Sequence, residues 1–422
     1  MKRAIPYILM SLYFFSFLIQ EIIFANLAWD RKYPQLAFIS IINISSFIYF
    51  FKINKLYDFF LISKKNNLLL AYFIFLIFCV ISILNSENLS ESIIVLGSYF
   101  TFFLSFLFIY FNSILIGNKR FIKFIIILLS ISIFIESTAV LFASFEIVFL
   151  DQGLVERTLN IRGFSGNINI TAFSIVLKIP VLMYLIFRNS NTNILLISYL
   201  LLFLSFCSAL VLLSRGAILS LIVIHAIFIL LKFRILNFKK TLIYLLVIVS
   251  SYIVSENVFL SQNSNKILER VSSINPNISD DSINDRLRYY SQAIESIKKH
   301  PLIGVGVGNW KLKSVYYDSK NMSSYTVPLH VHNDLLQVFA EIGIMGFLAY
   351  LYLLLTPIIL SFIKYLKTKN HNLNILIILM MTSYFIDSFF NFPISRVISH
   401  MSLIFILVMF ININKKQRIT NE

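Results

Sequence analysis

Long apolar runs, separated by short polar segments, dominate the sequence. A run of about 18 or more apolar residues is long enough to cross the hydrocarbon core of a bilayer as an α-helix. Such runs predict an all-α polytopic membrane protein of about twelve transmembrane helices. Their approximate limits are 5–25, 35–51, 67–84, 92–116, 121–145, 168–187, 193–213, 216–231, 241–259, 335–363, 373–389 and 395–411.

One long polar stretch, residues 256–332, interrupts this pattern and carries nine Lys or Arg residues against seven acids. Ser282 opens a capping-box-like pattern that predicts an amphipathic helix over 285–299, near the membrane surface. Arg286, Tyr290, Ala293 and Ile297 would share one face of it, with Arg288 pointing elsewhere. The chain therefore divides into 1–255 with nine spans, 256–332 as a large loop, and 333–422 with three spans and a tail, all in one membrane domain.

Composition and charge support a membrane location. The chain is 58% hydrophobic and 13% charged, about half the charged fraction of a soluble domain. With the N-terminus inside, 20 Lys and Arg residues fall in cytoplasmic segments and six in the short outer ones. The positive-inside rule thus predicts cytoplasmic termini and a large loop on the outer side of the membrane. The first apolar run is too long for a signal-peptide core and lacks an A-x-A cleavage site, which predicts a retained first span. The positive-inside rule also accounts for the net charge of +16 without a nucleic-acid partner.

The predicted outer face gathers Arg162, Arg215, Arg286, His330 and His332. Arg215 lies between two spans that carry no other charge, where an unpaired guanidinium would cost several kcal/mol. It is either a turn arginine that reaches the headgroups or part of an anion site. Three arginines and a histidine on one side favour an anionic lipid headgroup, because guanidinium pairs with phosphate through two hydrogen bonds.

His332 precedes a polar stripe formed by Asn333, Gln337 and Glu341. The stripe predicts a water-filled cleft, in which a neutral imidazole can act as a general base. The alternative is that His332 is a polar interface residue at a helix start. Asp387, near the outer end of its span, is a candidate partner for an arginine or histidine of the cleft.

The remaining polar motifs favour structural roles. Lys178 and Glu136, both within spans, are expected to pair, with a substrate path as the alternative. The Gly-x-Gly-x-Gly run at 304–308 follows no strand and precedes no P-loop lysine, which favours a tight turn over a nucleotide site. Asp280 and Asp281 have no ligand set around them, and no nucleophile elbow is visible, so we expect no metal or other cofactor and no Ser-His-Asp chemistry.

The ordered motifs resemble those of the O-antigen ligase and Wzy-type polymerase superfamily. The resemblance covers most of the chain after about residue 159. It rests on Arg286-x-x-x-Tyr290-x-x-Ala293, His300-Pro301-Leu302-x-Gly304-x-Gly306-x-Gly308, His332-Asn333-x-Leu335-x-Gln337, Arg162-Gly163-x-x-x-Asn167-x-Asn169 and Ser214-Arg215-Gly216. Tyr290 stands where tryptophan is common in that superfamily.

The resemblance implies a GT-C-like membrane glycosyltransferase that uses neither metal nor nucleotide sugar. The donor would be a glycan on undecaprenyl diphosphate in the bacterial cytoplasmic membrane, and the large loop would be periplasmic. By the motif match, His332, Arg215 and Arg286 are the expected catalytic residues. The expected substrate-binding residues are Arg162, Asn169, Arg288, Tyr290, His330, Asn333, Gln337 and Asp387.

The acceptor is not encoded in these motifs. The leading interpretation is O-antigen ligation onto lipid A–core, within lipopolysaccharide biosynthesis. Polymerisation of repeat units and protein O-glycosylation are the alternatives, and they would use the same donor and the same catalytic residues. A non-enzymatic polysaccharide or lipid transporter is the alternative of another class, favoured by the number of spans and by Lys178 with Glu136.

Overall fold

The computed structural model describes residues 4–19, 32–149, 161–232, 237–260, 267, 281–319, 328–367 and 372–414. The secondary structure of these residues is helical. The α-helices are α1 (Ile5–Phe14), α2 (Lys32–Lys52), α3 (Leu56–Ser63), α4 (Asn67–Ser82), α5 (Leu89–Ile116), α6 (Asn118–Phe149), α7 (Ile168–Arg188), α8 (Thr192–Val211), α9 (Arg215–Lys232), α10 (Phe238–Val254), α11 (Asp281–Lys299), α12 (Trp310–Asp318), α13 (Asp334–Lys367), α14 (Asn372–Phe390) and α15 (Val397–Asn414).

Eleven helices of the described residues are long and apolar enough to cross a membrane. They correspond to the second to twelfth predicted spans, which confirms the polytopic class. The first predicted span is described as α1 with a 3₁₀ turn, together Ile5–Leu18, and its remainder lies outside the described residues. Several cationic residues that set the predicted orientation, including Lys2, Arg3 and Lys415, also lie outside them.

Two apolar cores hold the membrane helices together. In one, side chains of α1, α2, α4, α5, α13 and α15 pack around residues such as Phe106 and Phe405. In the other, α7 packs against α6, α8, α9 and α14 around residues such as Phe173. The side of the molecule on which α11 and α12 lie is called the loop side.

A buried ion pair crosses the second core. The Lys178 ammonium lies 2.5 Å from the Glu136 carboxylate, and both side chains are 1% exposed. Ser174 donates to the same carboxylate at 2.6 Å and accepts from Lys178 at 2.7 Å. The expected pairing is confirmed, and the serine supplies the further hydrogen bond that a buried charge requires.

The loop helix α11 begins at Asp281, four residues before the predicted start. Ser282 therefore lies inside its first turn, so the prediction that Ser282 precedes the helix is wrong. The acidic residue Asp281 at the first position favours this earlier start, because the helix N-terminus carries partial positive charge. The predicted inner face is confirmed: Tyr290, Ala293 and Ile297 pack in one cluster with Trp310, Val331, Leu336 and Ala340.

Residues 300–309 form a turn that docks into a break in α13, which the sequence predicts as one uninterrupted span. At the break Gly343 has φ +77°, and a Cβ there would lie 2.1 Å from the Leu302 carbonyl oxygen. The break leaves two carbonyls of α13 available to backbone amides of the turn. The Val305 amide donates to Ala340 at 2.9 Å, and the Gly306 amide donates to Glu341 at 3.0 Å.

The three turn glycines have φ of +78°, +99° and +76° at Gly304, Gly306 and Gly308. A Cβ on Gly304 would lie 2.4 Å from the Glu341 backbone, and one on Gly306 would lie 2.8 Å from Ser86. Glycine is required here both for the left-handed backbone and for this close approach. The motif builds a packed turn, as the sequence favours.

Candidate active site

A polar cavity opens on the loop side, where α7, α9 and α11 meet the end of α14. Its volume is about 50 Å³. Residues that are far apart in the sequence contribute to one wall. The lining residues are Asn169, Phe173, Ser214, Arg215, Gly216, Arg286, Phe390 and Asn391. The structure thus brings together both predicted catalytic arginines and the predicted Asn169.

Local packing explains how Arg215 reaches this cavity. Leu213 turns the chain with φ +48°, and Arg215 is the first residue of α9. A Cβ on Gly216 would lie 3.0 Å from the Phe173 ring and 3.3 Å from the Phe390 Cβ. Because Gly216 has no side chain, α9 packs closely against α7 and α14, and the guanidinium emerges at their common end.

Tyr290 connects the loop helix to both neighbouring segments. Its hydroxyl lies 3.1 Å from the His332 carbonyl oxygen and 2.8 Å from the Phe389 carbonyl oxygen, within hydrogen-bond distance of both. His332 itself has φ +58°, an unusual conformation for a residue other than glycine. The hydroxyl therefore holds a strained backbone and fixes His332 relative to the end of α14.

The imidazole of His332 is held neutral. Burial lowers the pKa of His332 to about 4, and the positive charges of Arg286 and Arg396 contribute. Its ring meets the Phe392 ring edge-on, with centroids 5.2 Å apart. Its Nδ1 atom is buried without a hydrogen-bond partner among the described residues. A neutral imidazole beside two cations can accept a proton, and nearby anionic substrate would strengthen it as a base.

The polar stripe of α13 binds the loop, where the sequence predicts a water-filled cleft. Asn333 accepts the Leu336 amide at 3.1 Å and so caps α13. Gln337 accepts the Val331 amide at 3.2 Å and donates to Glu341. Glu341, which is 3% exposed, also accepts the Gly308 and Trp310 amides at 3.0 and 3.2 Å. The cleft prediction is wrong because loop backbone occupies the stripe.

Three further predicted site residues have defined surroundings. Arg288 pairs with Asp318 at 2.7 Å and with Asp285 at 3.0 Å, and it does not line the cavity. The Asp387 carboxylate accepts from the Asn391 amide group at 2.7 Å and thereby orients a residue of the cavity wall. The Arg162 carbonyl accepts from the Thr171 hydroxyl at 2.6 Å, which fixes the turn before α7.

A second cavity on the loop side was not predicted. Its volume is only about 10 Å³, and the described residues that line it are Lys32, Gln35, Phe164, Ser165, Arg396, Val397 and Ile398. Its two cations, Lys32 and Arg396, are among the six Lys and Arg residues of the predicted short outer segments. The sequence places both cations in short segments that are predicted to lie on the same side of the membrane. Nothing in the sequence indicates that the two segments are neighbours in the fold.

His330 shares the Phe392 ring as a contact with His332. Its ring stacks on Phe392 with centroids 3.9 Å apart. The pKa of His330 is lowered well below its usual value by burial, and then by the charges of Arg396, His332 and Lys32. The Arg396 guanidinium lies 4.8 Å from the centroid of the same Phe392 ring. Phe392 is thus the common contact of both histidines and one cation.

These features define a polytopic membrane protein with a two-arginine cavity beside a buried neutral histidine. The family model described as O-antigen ligase matches residues 200–351, which include Arg215, Arg286 and His332. The resemblance to the O-antigen ligase and Wzy-type polymerase superfamily is thereby confirmed over this segment, and it supports a membrane enzyme of that type. No curated protein matches the chain.

Proposed function

We propose that the protein transfers a glycan from undecaprenyl diphosphate to an acceptor hydroxyl at the periplasmic face of the bacterial cytoplasmic membrane. The observation that carries the proposal is the cavity lined by both Arg215 and Arg286, with Arg286 close enough to His332 to lower its pKa. A diphosphate is an anion that two guanidiniums bind well, since each can donate two parallel hydrogen bonds.

The proposed reaction is a single displacement. The acceptor oxygen attacks the anomeric carbon and gives its proton to His332. The bond between that carbon and the diphosphate oxygen breaks, and its electron pair leaves with undecaprenyl diphosphate. Arg215 and Arg286 stabilise the charge that develops on the leaving group. One displacement inverts the anomeric centre, and with two guanidiniums on the diphosphate we propose that catalysis needs no metal.

The proposed acceptor is lipid A–core, which makes the protein an O-antigen ligase. A polymerase that joins repeat units and a protein O-glycosyltransferase would use the same donor and differ in the acceptor. A lipopolysaccharide gel of a deletion strain distinguishes them. Loss of a ligase leaves long polymer unattached to lipid A, whereas loss of a polymerase leaves single repeat units on it. Intact long chains on lipid A in the deletion strain would refute both roles.

The alternative of another class is a transporter without catalytic activity. In the sequence, the charged residues Lys178 and Glu136 within spans favour a transporter. In the structure they pair with each other in a packed core, which favours a structural role. Purified protein supplied with lipid-linked donor and acceptor tests the choice. We expect transfer to proceed in the presence of a chelator and without an ion gradient. Glycan movement across vesicles without covalent transfer would favour the transporter.

A further inference from the structure

We propose that the short helix α3 and the lysines at its two ends bind anionic phospholipid headgroups at the membrane surface opposite the loop side. Such binding would hold whatever reaction the protein catalyses. The supporting features are the place of α3 between two spans, its exposed apolar side chains and the lysines that flank it.

The connections of α3 place it at the end of the helix bundle away from the loop. Asn85, just after α4, donates to the Gly304 carbonyl of the docked turn at 2.9 Å, so the end of α4 lies on the loop side. Asn66 caps the start of α4, roughly 24 Å away along the helix axis. α3 ends at Ser63, shortly before this cap, and its eight residues are too few to cross the hydrocarbon core. It therefore stays near this surface, on the side that the charge pattern predicts to be cytoplasmic.

One aromatic side chain fixes α3 to the bundle. Phe59 is 4% exposed, and its ring meets Phe50 of α2 edge-on, with centroids 5.5 Å apart. The same ring stacks on Phe111 of α5, with centroids 5.1 Å apart. Leu56 packs on the same core. These contacts use one face of α3 and leave another face turned away from the protein.

The outward face of α3 is apolar. Tyr57, Phe60 and Leu61, at positions i, i+3 and i+4, share this face and are 73%, 52% and 42% exposed. Insertion of such a face into the boundary between headgroups and acyl chains is favourable, because it removes the side chains from water. A free phosphate would gain nothing from these residues, whereas a phospholipid brings acyl chains together with its headgroup. The apolar face thus favours a lipid as the occupant.

Lysines flank this apolar face at both ends. All four are exposed, and they are Lys52, Lys55, Lys64 and Lys65. Asp58, the one acid between residues 51 and 66, pairs with Lys55 at 3.2 Å. The Lys64 ammonium lies 4.8 Å from the centroid of the Phe60 ring, which holds this charge beside the apolar face. Lysines at a membrane surface attract anionic headgroups, so the segment should prefer anionic phospholipids over zwitterionic ones.

The test places a fluorescent reporter on α3. Full-length Tyr57→Trp is reconstituted in vesicles of equal parts phosphatidylglycerol and phosphatidylcholine, with bromine on the acyl chains of one lipid at a time. Bromine quenches tryptophan on contact, and wild-type protein, with Trp29 and Trp310, supplies the background. We expect a relative affinity about fivefold higher for phosphatidylglycerol, as one lysine at an anionic surface supplies. Because salt screens surface charge, the preference should weaken at 1 M salt.

Matched variants of the reporter protein keep the test specific. Lys52→Gln, Lys64→Gln and Lys65→Gln should each lower the preference, and their combination should bring it close to one. Lys64→Arg retains the charge and should retain the preference. Lys119→Gln removes an exposed lysine that directly opens the spanning helix α6, and it should leave the preference unchanged. Thermal unfolding in detergent identifies a combined variant that fails to fold, in which case the single variants carry the test.

Each contrary outcome is distinct. Quenching by neither lipid would place α3 outside the bilayer and overturn the site. Equal quenching by both lipids, or a loss of preference in Lys119→Gln as large as in Lys64→Gln, would replace the headgroup site with a general basic surface. A preference abolished by inorganic phosphate at constant ionic strength would assign the lysines to a free anion. Quenching that falls as the ratio of protein to lipid rises would assign the apolar face to a second copy of the chain.

Discussion

The docked turn at 300–309 and the two-arginine cavity both carry motif residues, yet they differ in how their polar groups are used. In the turn, backbone amides and carbonyls pair with α13, with Asn85 and with Ser92, and the glycines leave no room for a side chain. The cavity keeps a polar-lined volume of about 50 Å³ open, and the buried Nδ1 of the nearby His332 has no hydrogen-bond partner among the described residues.

This difference separates motif residues whose polar groups are bonded within the fold from motif residues that border open space. A Gly-x-Gly-x-Gly run suggests a phosphate cradle in many proteins, but here its amides are already bonded to protein atoms. Arg215 and Arg286 occur in short motifs that do not by themselves indicate a function. Their common role is suggested by the fact that they line one cavity. The following predictions probe the two regions in turn.

The largest expected effect is at His332. His332→Ala should reduce the transfer rate by roughly 10²–10⁴-fold, the range that general base catalysis supplies, while the donor KM changes little. His300→Ala is the matched control, because His300 is an exposed loop histidine outside both cavities. Steady-state transfer kinetics measure both. Near-normal turnover by His332→Ala would remove it from the mechanism.

Arg215→Gln and Arg286→Gln should each reduce the transfer rate by roughly 10²–10³-fold, because each removes a group that stabilises charge on the leaving diphosphate. Donor binding should weaken as well, which distinguishes them from His332→Ala. Arg120→Gln, at an exposed arginine near the start of α6, is the control. Unchanged donor binding in both cavity variants would contradict the assignment of the diphosphate to this cavity.

Gly343→Ala tests the docked turn. The added Cβ would lie 2.1 Å from the Leu302 carbonyl at φ +77°, so the turn must shift or α13 must straighten. We expect destabilisation of about 1–3 kcal/mol or more, measured by thermal unfolding, with faster proteolysis of the loop. Gly97→Ala, where nothing lies within 4 Å, should be neutral or slightly stabilising. Equal stability of the two variants would contradict the packed turn.

Tyr290→Phe should have a smaller effect, because it removes only the hydroxyl that contacts the His332 and Phe389 carbonyls and keeps the packed ring. A typical hydrogen bond contributes about 0.5–1.5 kcal/mol, so a modest fall in Tm and in kcat is expected. Tyr316→Phe, at a residue 72% exposed, is the control. If Tyr290→Phe behaves like the control in both measurements, the hydroxyl does not position His332.

The smallest expected effect is a shift in pH dependence. As a base, His332 acts when neutral, so kcat/KM should fall only as the pH drops toward its lowered pKa of about 4. Arg396→Gln removes a positive charge that lowers this pKa, so its acidic limb should move to higher pH. If the acidic limb of the wild-type kcat/KM profile lies near 6.5, the ordinary pKa of histidine, and Arg396→Gln does not move it, the electrostatic description is contradicted.

Much of the helical framework follows from sequence, because hydrocarbon-length apolar runs leave the backbone few alternatives. The inner face of α11 follows from helical periodicity in the same way. The break at Gly343 could not be predicted, since it depends on a turn some 40 residues away in sequence that supplies replacement hydrogen bonds. The short helix α12 was missed for a similar reason: Trp310 is buried by tertiary contacts with α11 and α13.

The site was predictable only in part. Sequence placed Arg215, Arg286 and His332 on one face, and the structure brings the arginines to one cavity. The sequence could not show that the polar stripe on α13 anchors the loop. A glutamate at position 341 is equally compatible with contact to water and with contact to backbone amides. Arg288 was predicted to bind substrate, whereas the structure pairs it with Asp318, a residue far along the loop.

The most direct test of the central claim is transfer by the purified protein in vesicles, with an undecaprenyl-diphosphate-linked glycan as donor, a defined acceptor and a metal chelator. We predict that the wild type forms the inverted glycosidic product and releases undecaprenyl diphosphate, and that His332→Ala, folded to the same Tm, retains donor binding without forming product. Product formation by His332→Ala at the wild-type rate would contradict the account.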